Sequence, residues 1–280
     1  AAVSGADLVV VGGGPAGMHA ALAAAAHGVS VTLVDEGFGL GGQIHRPPAC
    51  TERAPPPDAR GSAMRKAVAA QSRIEVRQGA VAWGVFEGTS VAVTDGSGTS
   101  LLRPRQVILA PGAYELVAPF PGWTLPGVMT PGAAQILAKT MGVPPGNRVA
   151  LAGTGPFLLA VASALIDLGV TIAGVFEATP RAPWLSLPRA GWRSPSILAQ
   201  GAGYLWKLAL AGVPVHHERM VVAAQGRDAV RRIVHAPVNA DWRPDPARAE
   251  ELDVDALLVG YGFVSRGDLA RMAGCELVFD

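Results

Sequence analysis

Two glycine-rich turns, Gly12-Gly13-Gly14-Pro15-Ala16-Gly17 and Gly153-Thr154-Gly155-Pro156-Phe157-Leu158, each close a short apolar run. An acidic residue follows each turn, Asp35 at 23 positions after Gly12 and Glu177 at 24 positions after Gly153. The chemistry such a pattern can do is the grip of a dinucleotide. Glycines let a backbone approach a pyrophosphate, the amides and positive dipole end of the following helix favour the anion, and the acid accepts hydrogen bonds from ribose hydroxyls.

That chemistry needs a strand before the turn, a helix after it and a second strand ending in the acid. Around the first turn these are Asp7–Val11, an alanine-rich helix from Pro15 to Ala26, and Val29–Val34 ending at Asp35. Gly12 permits the tight turn, Gly14 the approach of backbone to pyrophosphate, and Gly17 the close packing of helix on sheet, so Gly12, Gly14, Pro15, Ala16, Gly17 and Asp35 form the expected binding set. Around the second turn the elements are Arg148–Ala152, a helix from Pro156 to Leu168, and Val170–Phe176 ending at Glu177. Leu158 stands where the third glycine belongs. Gly153, Thr154, Gly155, Pro156 and Glu177 are therefore expected either to hold NAD or another adenine nucleotide, with Glu177 repelling a 2′-phosphate, or to keep the fold without tight binding.

Composition narrows the field further. The 280 residues are 50% hydrophobic and 16% charged, enough for two domains with substantial cores. A net charge of +1 with a pI near 8.1 and no run of like charges excludes a nucleic-acid face. Mean hydropathy is +0.31, yet apolar stretches such as 20–26 and 157–166 fall short of the roughly 18 residues of a membrane span. The amino-terminal residues lack the pattern of a secretory signal, so the expectation is a cytoplasmic protein. Cys50 and Cys275 form no Cys-x-x-Cys pair, which argues against a redox disulfide. His216-His217 has no Cys or His at zinc-ligand spacing and reads as an ordinary surface pair; no metal site is expected.

Between the two turns lie the glycine-rich segment Gly37–Arg46, a proline-rich connection through Pro55-Pro56-Pro57, a helix over 62–71, strands over 74–77, 80–86 and 89–94, and a turn at Asp95-Gly96-Ser97-Gly98. The short strands form an antiparallel insert beside the parallel sheet, and Gln106–Ala110 returns as a buried strand. The Pro119–Pro131 stretch marks a change of domain, and a helix runs over 132–141. After Glu177 come a loop with Trp184 and Trp192, a helix over 197–210, strands near Val213, Val221 and 231–235, and a strand at Ala256–Gly260. The fold class is α/β: two Rossmann-like dinucleotide-binding domains, the second inserted into the first, with a small antiparallel insert. The expected boundaries are 1–118 for the first domain, 119–262 for the second and 263–280 for the start of a return to the first.

Taken together these segments resemble two-dinucleotide-binding-domain flavoproteins. On that resemblance the first turn and Asp35 hold FAD, with Glu36 beside Asp35. Gly41-Gly42-Gln43 approaches the flavin, Ala110-Pro111-Gly112 contacts FAD where the chain leaves the first domain, and Val81 completes the cofactor set. Gly42-Gln43-Ile44-His45-Arg46, Pro111–Glu115 and the string from Pro119 to Thr130 resemble one branch in particular. That branch holds the flavoprotein subunits of hydrogen cyanide synthase, of opine oxidases, and of hydroxyproline and proline dehydrogenases. The resemblance implies a heteromeric complex, membrane-associated or soluble, that oxidises an amino acid, opine or amine at a carbon–nitrogen bond, together with a partner flavoprotein subunit, and passes electrons to an acceptor other than oxygen. Members of this layout continue past Val259–Phe263 into a second FAD segment with a Gly-Asp pair, and often into a cysteine-rich region. The sequence contains neither, so the first domain is expected to be open on one side, in a fragment or truncated product.

No residue is assigned as a general base. His45 and Arg46 could steady the flavin or a carboxylate, or serve as structural or surface residues. Two other readings stay open: an NADH-dependent flavin reductase feeding a partner, and an electron-relay or scaffold subunit with no substrate site of its own.

Overall fold

The first strand, β1 (Leu8–Val11), is buried along its whole length, as expected of a central strand in a parallel sheet covered on both faces. The computed structural model describes residues 6–49, 58–87, 89–180 and 194–278. Cys50, Pro55-Pro56-Pro57, Trp184 and Trp192 lie outside them. Helix α1 (Pro15–Ala26) starts with Pro15 in the first turn, where a missing amide costs nothing. It ends where Gly28 adopts φ +84° and donates to the Ala25 carbonyl. Then come β2 (Val31–Asp35), α2 (Ala59–Ala69), capped by Asp58, and β3 (Ile74–Gln78). Strands β4 (Val81–Phe86), β5 (Ser90–Asp95) and β6 (Gly98–Leu102) form an antiparallel sheet. In its second turn Asp95 accepts hydrogen bonds from the amide and hydroxyl of Ser97.

Strand β7 (Gln106–Leu109) completes a parallel sheet of order β3-β2-β1-β7. The sequence predicts this strand as buried; it is the edge strand, with Gln106 and Ile108 exposed, because among the described residues only β1 pairs with it. Alternation along β1 divides the core. Leu8 and Val10 pack with Met18, Ala21, Leu33 and Val68 on the helical face, whereas Val9 and Val11 pack with Val91, Val93 and Leu102 of the antiparallel insert. Strand β8 (Ala113–Glu115) follows.

The chain divides into two compact units, one running to Tyr114 and resuming at Val264, the other from Glu115 to Phe263. The second unit holds β9 (Val128–Met129), α3 (Pro131–Ile136), β10 (Arg148–Gly153), α4 (Phe157–Asp167), β11 (Thr171–Glu177), α5 (Pro195–Leu210), β12 (Val215–His217), β13 (Arg219–Gln225), β14 (Arg232–Pro237), β15 (Glu250–Asp253) and β16 (Ala256–Gly260). Its parallel sheet has the order β12-β11-β10-β16-β9, the same sequence of roles as in the first unit with β9 added. That extra neighbour is why β16 is buried throughout while its counterpart β7 is not. One face carries α3, α4 and α5 through Leu158, Val161, Leu165 and Leu208. The other face carries the antiparallel sheet β13-β14-β15 through Phe176, Val221, Ile233 and Leu257.

The helix predicted over 132–141 is α3 continued by a π-helical turn over Leu137–Met141, closed by Gly142 at φ +64°. Thr130 caps α3, and both carboxylate oxygens of Glu115 accept from the Gly132 amide. Finally β17 (Phe263–Ser265) pairs with β8, and α6 (Asp268–Met272) follows in the first unit. Among the described residues no helix is long and apolar enough to cross a membrane.

Candidate cofactor site

The three segments that the resemblance assigns to FAD come together in the first unit, backbone against backbone. Gly12, at φ +103°, lies so close to the end of β7 that a Cβ there would sit 2.1 Å from the Ala110 oxygen. A Cβ on Gly17 would sit 1.8 Å from the Gly12 oxygen, so helix α1 crosses directly over the turn. The Gly41 amide donates to the Gly13 carbonyl at 2.8 Å, and a Cβ on Gly42 would approach the Gly14 Cα to 2.9 Å. Each contact excludes a side chain. The glycines are there because backbone occupies the space.

Gly14 is different. It is extended (φ −72°, ψ −178°), and a Cβ on it would meet nothing nearer than the Gly42 Cα at 3.8 Å. There is thus room for a side chain at this residue, and among the described residues no side chain caps the α1 amino terminus beside it. Ala16 is exposed and Pro15 half-buried at that end. An uncapped helix terminus behind a glycine turn suits an anionic group.

Asp35 ties the assembly together. Its carboxylate accepts from the amide of Gly13 at 2.5 Å and from that of Gly37 at 2.9 Å, bonds that join the turn to the 37–46 loop. Asp35 also lines a cleft of about 330 Å³ with Gly12, Glu36 and Pro111. Other walls come from Tyr114 of the Pro111–Glu115 string and from residues that no sequence motif marks: Trp83, and from the chain's last segment Arg266, Asp268, Leu269 and Met272. Arg266 pairs with Glu36 at 3.1 Å across 230 residues of sequence, and its amide donates to Gly112. No local spacing announces such a contact. The donor set, the glycine cradle and the cleft fit the adenosine and pyrophosphate part of a dinucleotide such as FAD.

The remaining candidates are placed less directly. Gln43 is exposed. His45 bonds through Nδ1 to Asp58 at 3.0 Å and gives its carbonyl to Arg65, so an acid does face it, just ahead of α2. The Gly61 amide, with His45 beside it, holds the Asp58 carboxyl below the usual carboxylate range. Arg46 folds back on its own loop, its Nε 3.4 Å from the Gly42 oxygen. The Val81 side chain is 44% exposed and outside the cleft, although its neighbours Ala80 and Ala82 line it.

In the second unit Gly153, Thr154, Gly155 and Pro156 form a turn at the end of β10, before α4. A Cβ on Gly153 would sit 1.7 Å from the Gly260 oxygen, repeating the Gly12–Ala110 contact. Glu177 ends β11 as Asp35 ends β2, but it is only 2% exposed. Its carboxylate accepts from the Gly155 amide at 2.8 Å, the Thr179 amide at 3.0 Å and the Thr179 hydroxyl at 2.7 Å. Leu158 is buried in the helical-side core.

His216 is not the surface residue that its sequence context predicts. It lies on β12, half-buried, stacked on Phe176 with ring centroids 5.1 Å apart, and the His235 ring packs on the same Phe176 at 4.3 Å. Arg219 donates to His235 Nδ1 at 2.9 Å and pairs with Glu250. Burial, reinforced by Arg219, lowers the His235 pKa to about 4 and shifts His216 downward too. Folded His235 therefore stays neutral where the unfolded chain binds a proton, so its contribution to stability is complete above about pH 6.5 and is lost as pH falls toward 4. Urea unfolding is expected to show about 2–3 kcal/mol less stability at pH 4 than at pH 7 from this group, and His235→Gln should flatten that slope.

The pyridine nucleotide-disulphide oxidoreductase family model matches residues 6–278. The HcnB subunit of hydrogen cyanide synthase from Pseudomonas protegens is 38% identical over 277 residues, covering 96% of this chain and 59% of that protein. An opine oxidase subunit from Agrobacterium tumefaciens is 33% identical over 291 residues, covering 97% of this chain and 55% of that protein. The chain thus spans under two thirds of the length of these curated relatives. Among solved structures, L-proline dehydrogenase from P. horikoshii superposes with a TM-score of 0.64 at 21% identity, over 100% of this chain and 46% of that one. Cys275 is exposed and free, and neither cysteine has a neighbour close in sequence, so the dithiol in the family's name is not matched here. The chain belongs to the pyridine nucleotide-disulphide oxidoreductase family of FAD-dependent oxidoreductases.

Proposed function

We propose that this chain is the FAD-holding part of a flavoprotein subunit in a complex that oxidises an amino acid or amine at a carbon–nitrogen bond. The observation that carries the reading is the convergence of Gly12, Gly42, Ala110 and Asp35 around the open α1 terminus. Relatives named as subunits of hydrogen cyanide synthase and opine oxidase support the complex and the substrate class. In this reading residues 1–118 with 263–280 form the FAD domain and 119–262 the second dinucleotide-like domain.

The flavin, when bound, supplies the two-electron chemistry, and the protein supplies position and field. Gly14 and the α1 terminus hold the pyrophosphate, while Asp35 accepts from the ribose hydroxyls and fixes the turn through Gly13. Gly41-Gly42-Gln43 lies beside the turn as the wall toward the flavin, with Ala110, Pro111 and Gly112 opposite. Arg266 offsets the charge of Glu36, so the cleft is not lined by uncompensated carboxylates. The side chains of His45 and Arg46 hold the loop and α2 in place.

Stopped-flow mixing of the reconstituted complex tests the reading. Bleaching of the flavin band by an amino acid or opine, and not by NADH, is the expected result. Rapid bleaching by NADH alone would assign the chain to flavin reduction instead. Substrate oxidation that needs no flavin in this chain would reduce its role to a scaffold.

A further inference from the structure

We infer that the second glycine turn is self-liganded: Glu177 and Thr179 occupy the acid and the amide that a nicotinamide–adenine dinucleotide would require, so the second unit does not bind NAD or NADH. The two turns invite comparison residue by residue. Asp35 reaches the middle residue of its turn, Gly13, and at Gly14 an added Cβ would meet nothing nearer than the Gly42 Cα at 3.8 Å. Glu177 is one methylene longer and reaches one residue further, to Gly155, the counterpart of Gly14. The amide of Thr154 is taken as well, by the Gly260 carbonyl at 3.0 Å.

The backbone agrees with the side chain. Gly14 is extended at φ −72°, whereas Gly155 adopts φ +90°, so the second turn follows a different path. Helix α1 begins immediately after Gly14, but Pro156 intervenes after Gly155 and α4 begins at Phe157. Leu158 fills the position at which Gly17 admits no Cβ at all. A side chain fits there only because α4 starts differently.

The acid is also hidden. Asp35 also gives one oxygen each to backbone amides, those of Gly13 and Gly37, but it is half-buried and lines a cleft. Glu177 is 2% exposed, with one oxygen on Gly155 and the other on the amide and hydroxyl of Thr179. A ribose reaching this carboxylate would compete with the charge-assisted bonds from the half-buried Gly155 and Thr179. The structure thus keeps the glycine, strand and acid pattern of a dinucleotide site while using its polar groups to close the turn. Reducing equivalents would then enter from a substrate and not from a nicotinamide, a consequence that does not depend on which substrate it is.

The test is a titration of the FAD-saturated chain with NADH, followed by nicotinamide fluorescence and by calorimetry with NAD. No saturable binding up to about 1 mM is expected. Glu177→Ala should lower the melting temperature by about 5 °C or more, as loss of a buried fastening does and loss of an exposed ribose ligand does not. Saturable NADH binding with a dissociation constant below about 100 μM overturns the inference, whatever the folding of the variant. Should the chain hold no FAD, which would sink the proposed function separately, the same titration still decides: NADH binding abolished by Glu177→Gln overturns the inference, and no binding supports it.

Discussion

Gly17→Ala is expected to abolish FAD binding and to destabilise the first unit. Alanine is the better helix former, by about 1 kcal/mol, so helix propensity alone predicts a gain. Packing reverses the sign. The new Cβ would lie 1.8 Å from the Gly12 oxygen and 3.4 Å from Val10 Cγ1, and neither neighbour can retreat. Gly12 is itself pressed against the Ala110 carbonyl, so the turn is held between α1 and the end of β7. Overpacking of this kind costs about 1–3 kcal/mol, and a turn displaced by even part of that distance no longer presents its amides to a pyrophosphate. Urea unfolding should show the loss of stability, and flavin titration a loss of affinity of at least about 100-fold, equivalent to about 3 kcal/mol. Gly14→Ala separates binding from folding. Its Cβ meets nothing within 3.4 Å and its φ of −72° suits any residue, so stability should be nearly unchanged while the methyl obstructs the approaching phosphate. Unchanged flavin affinity in Gly14→Ala would place the pyrophosphate elsewhere.

Asp35→Ala has the second large effect. Each hydrogen bond to a charged group contributes about 1.5–3 kcal/mol, and this carboxylate makes one to Gly13 and one to Gly37 before any ligand arrives. The substitution frees two amides and releases the 37–46 loop from the turn. We expect flavin affinity to fall by about 100-fold or more, with a smaller drop in melting temperature, and Asp35→Asn to recover part of both because its oxygen can still accept. A variant that loses stability but binds FAD as the parent does would confine Asp35 to a structural role.

The difference between the two turns shows what the sequence could and could not disclose. Strand, glycines, helix and acid are legible at both places because each leaves a local mark: an apolar run, a glycine turn, a helical segment that is alanine-rich in the first unit, a charge at the end of a strand. Leu158 in place of a third glycine is legible as well, at the turn whose Gly155 adopts φ +90° where Gly14 is extended. What could not be read was how far an acid reaches. Asp35 and Glu177 differ by one methylene, and only the fold decides which amide that length meets.

Other misreadings have the same origin in tertiary context. Gln106–Leu109 is as apolar as a buried strand needs to be, yet it forms an edge because none of the described residues pairs with its far side. Strand β15 escaped notice because Glu250-Glu251-Leu252-Asp253 lacks apolar alternation. Its acids are instead matched by Arg232 on the adjacent strand β14 and by Arg219 on β13 beyond it. The helix over 132–141 was anticipated, but not its π turn. His45 pairs with Asp58 only 13 residues on, but the two stand at no spacing that marks a pair in sequence. The Arg266–Glu36 pair and the cleft wall formed by Asp268, Leu269 and Met272 come from the far end of the chain, beyond any motif's reach.

The most direct test of the account is mass spectrometry of the nucleotides released on denaturing the purified native complex, quantified per copy of this chain. The account predicts FAD released from this chain's first unit in a ratio of about one, lost in Gly17→Ala, and no NAD or NADP from the second. A complex that releases no FAD attributable to this chain, or that releases NAD in stoichiometric amount, would contradict it.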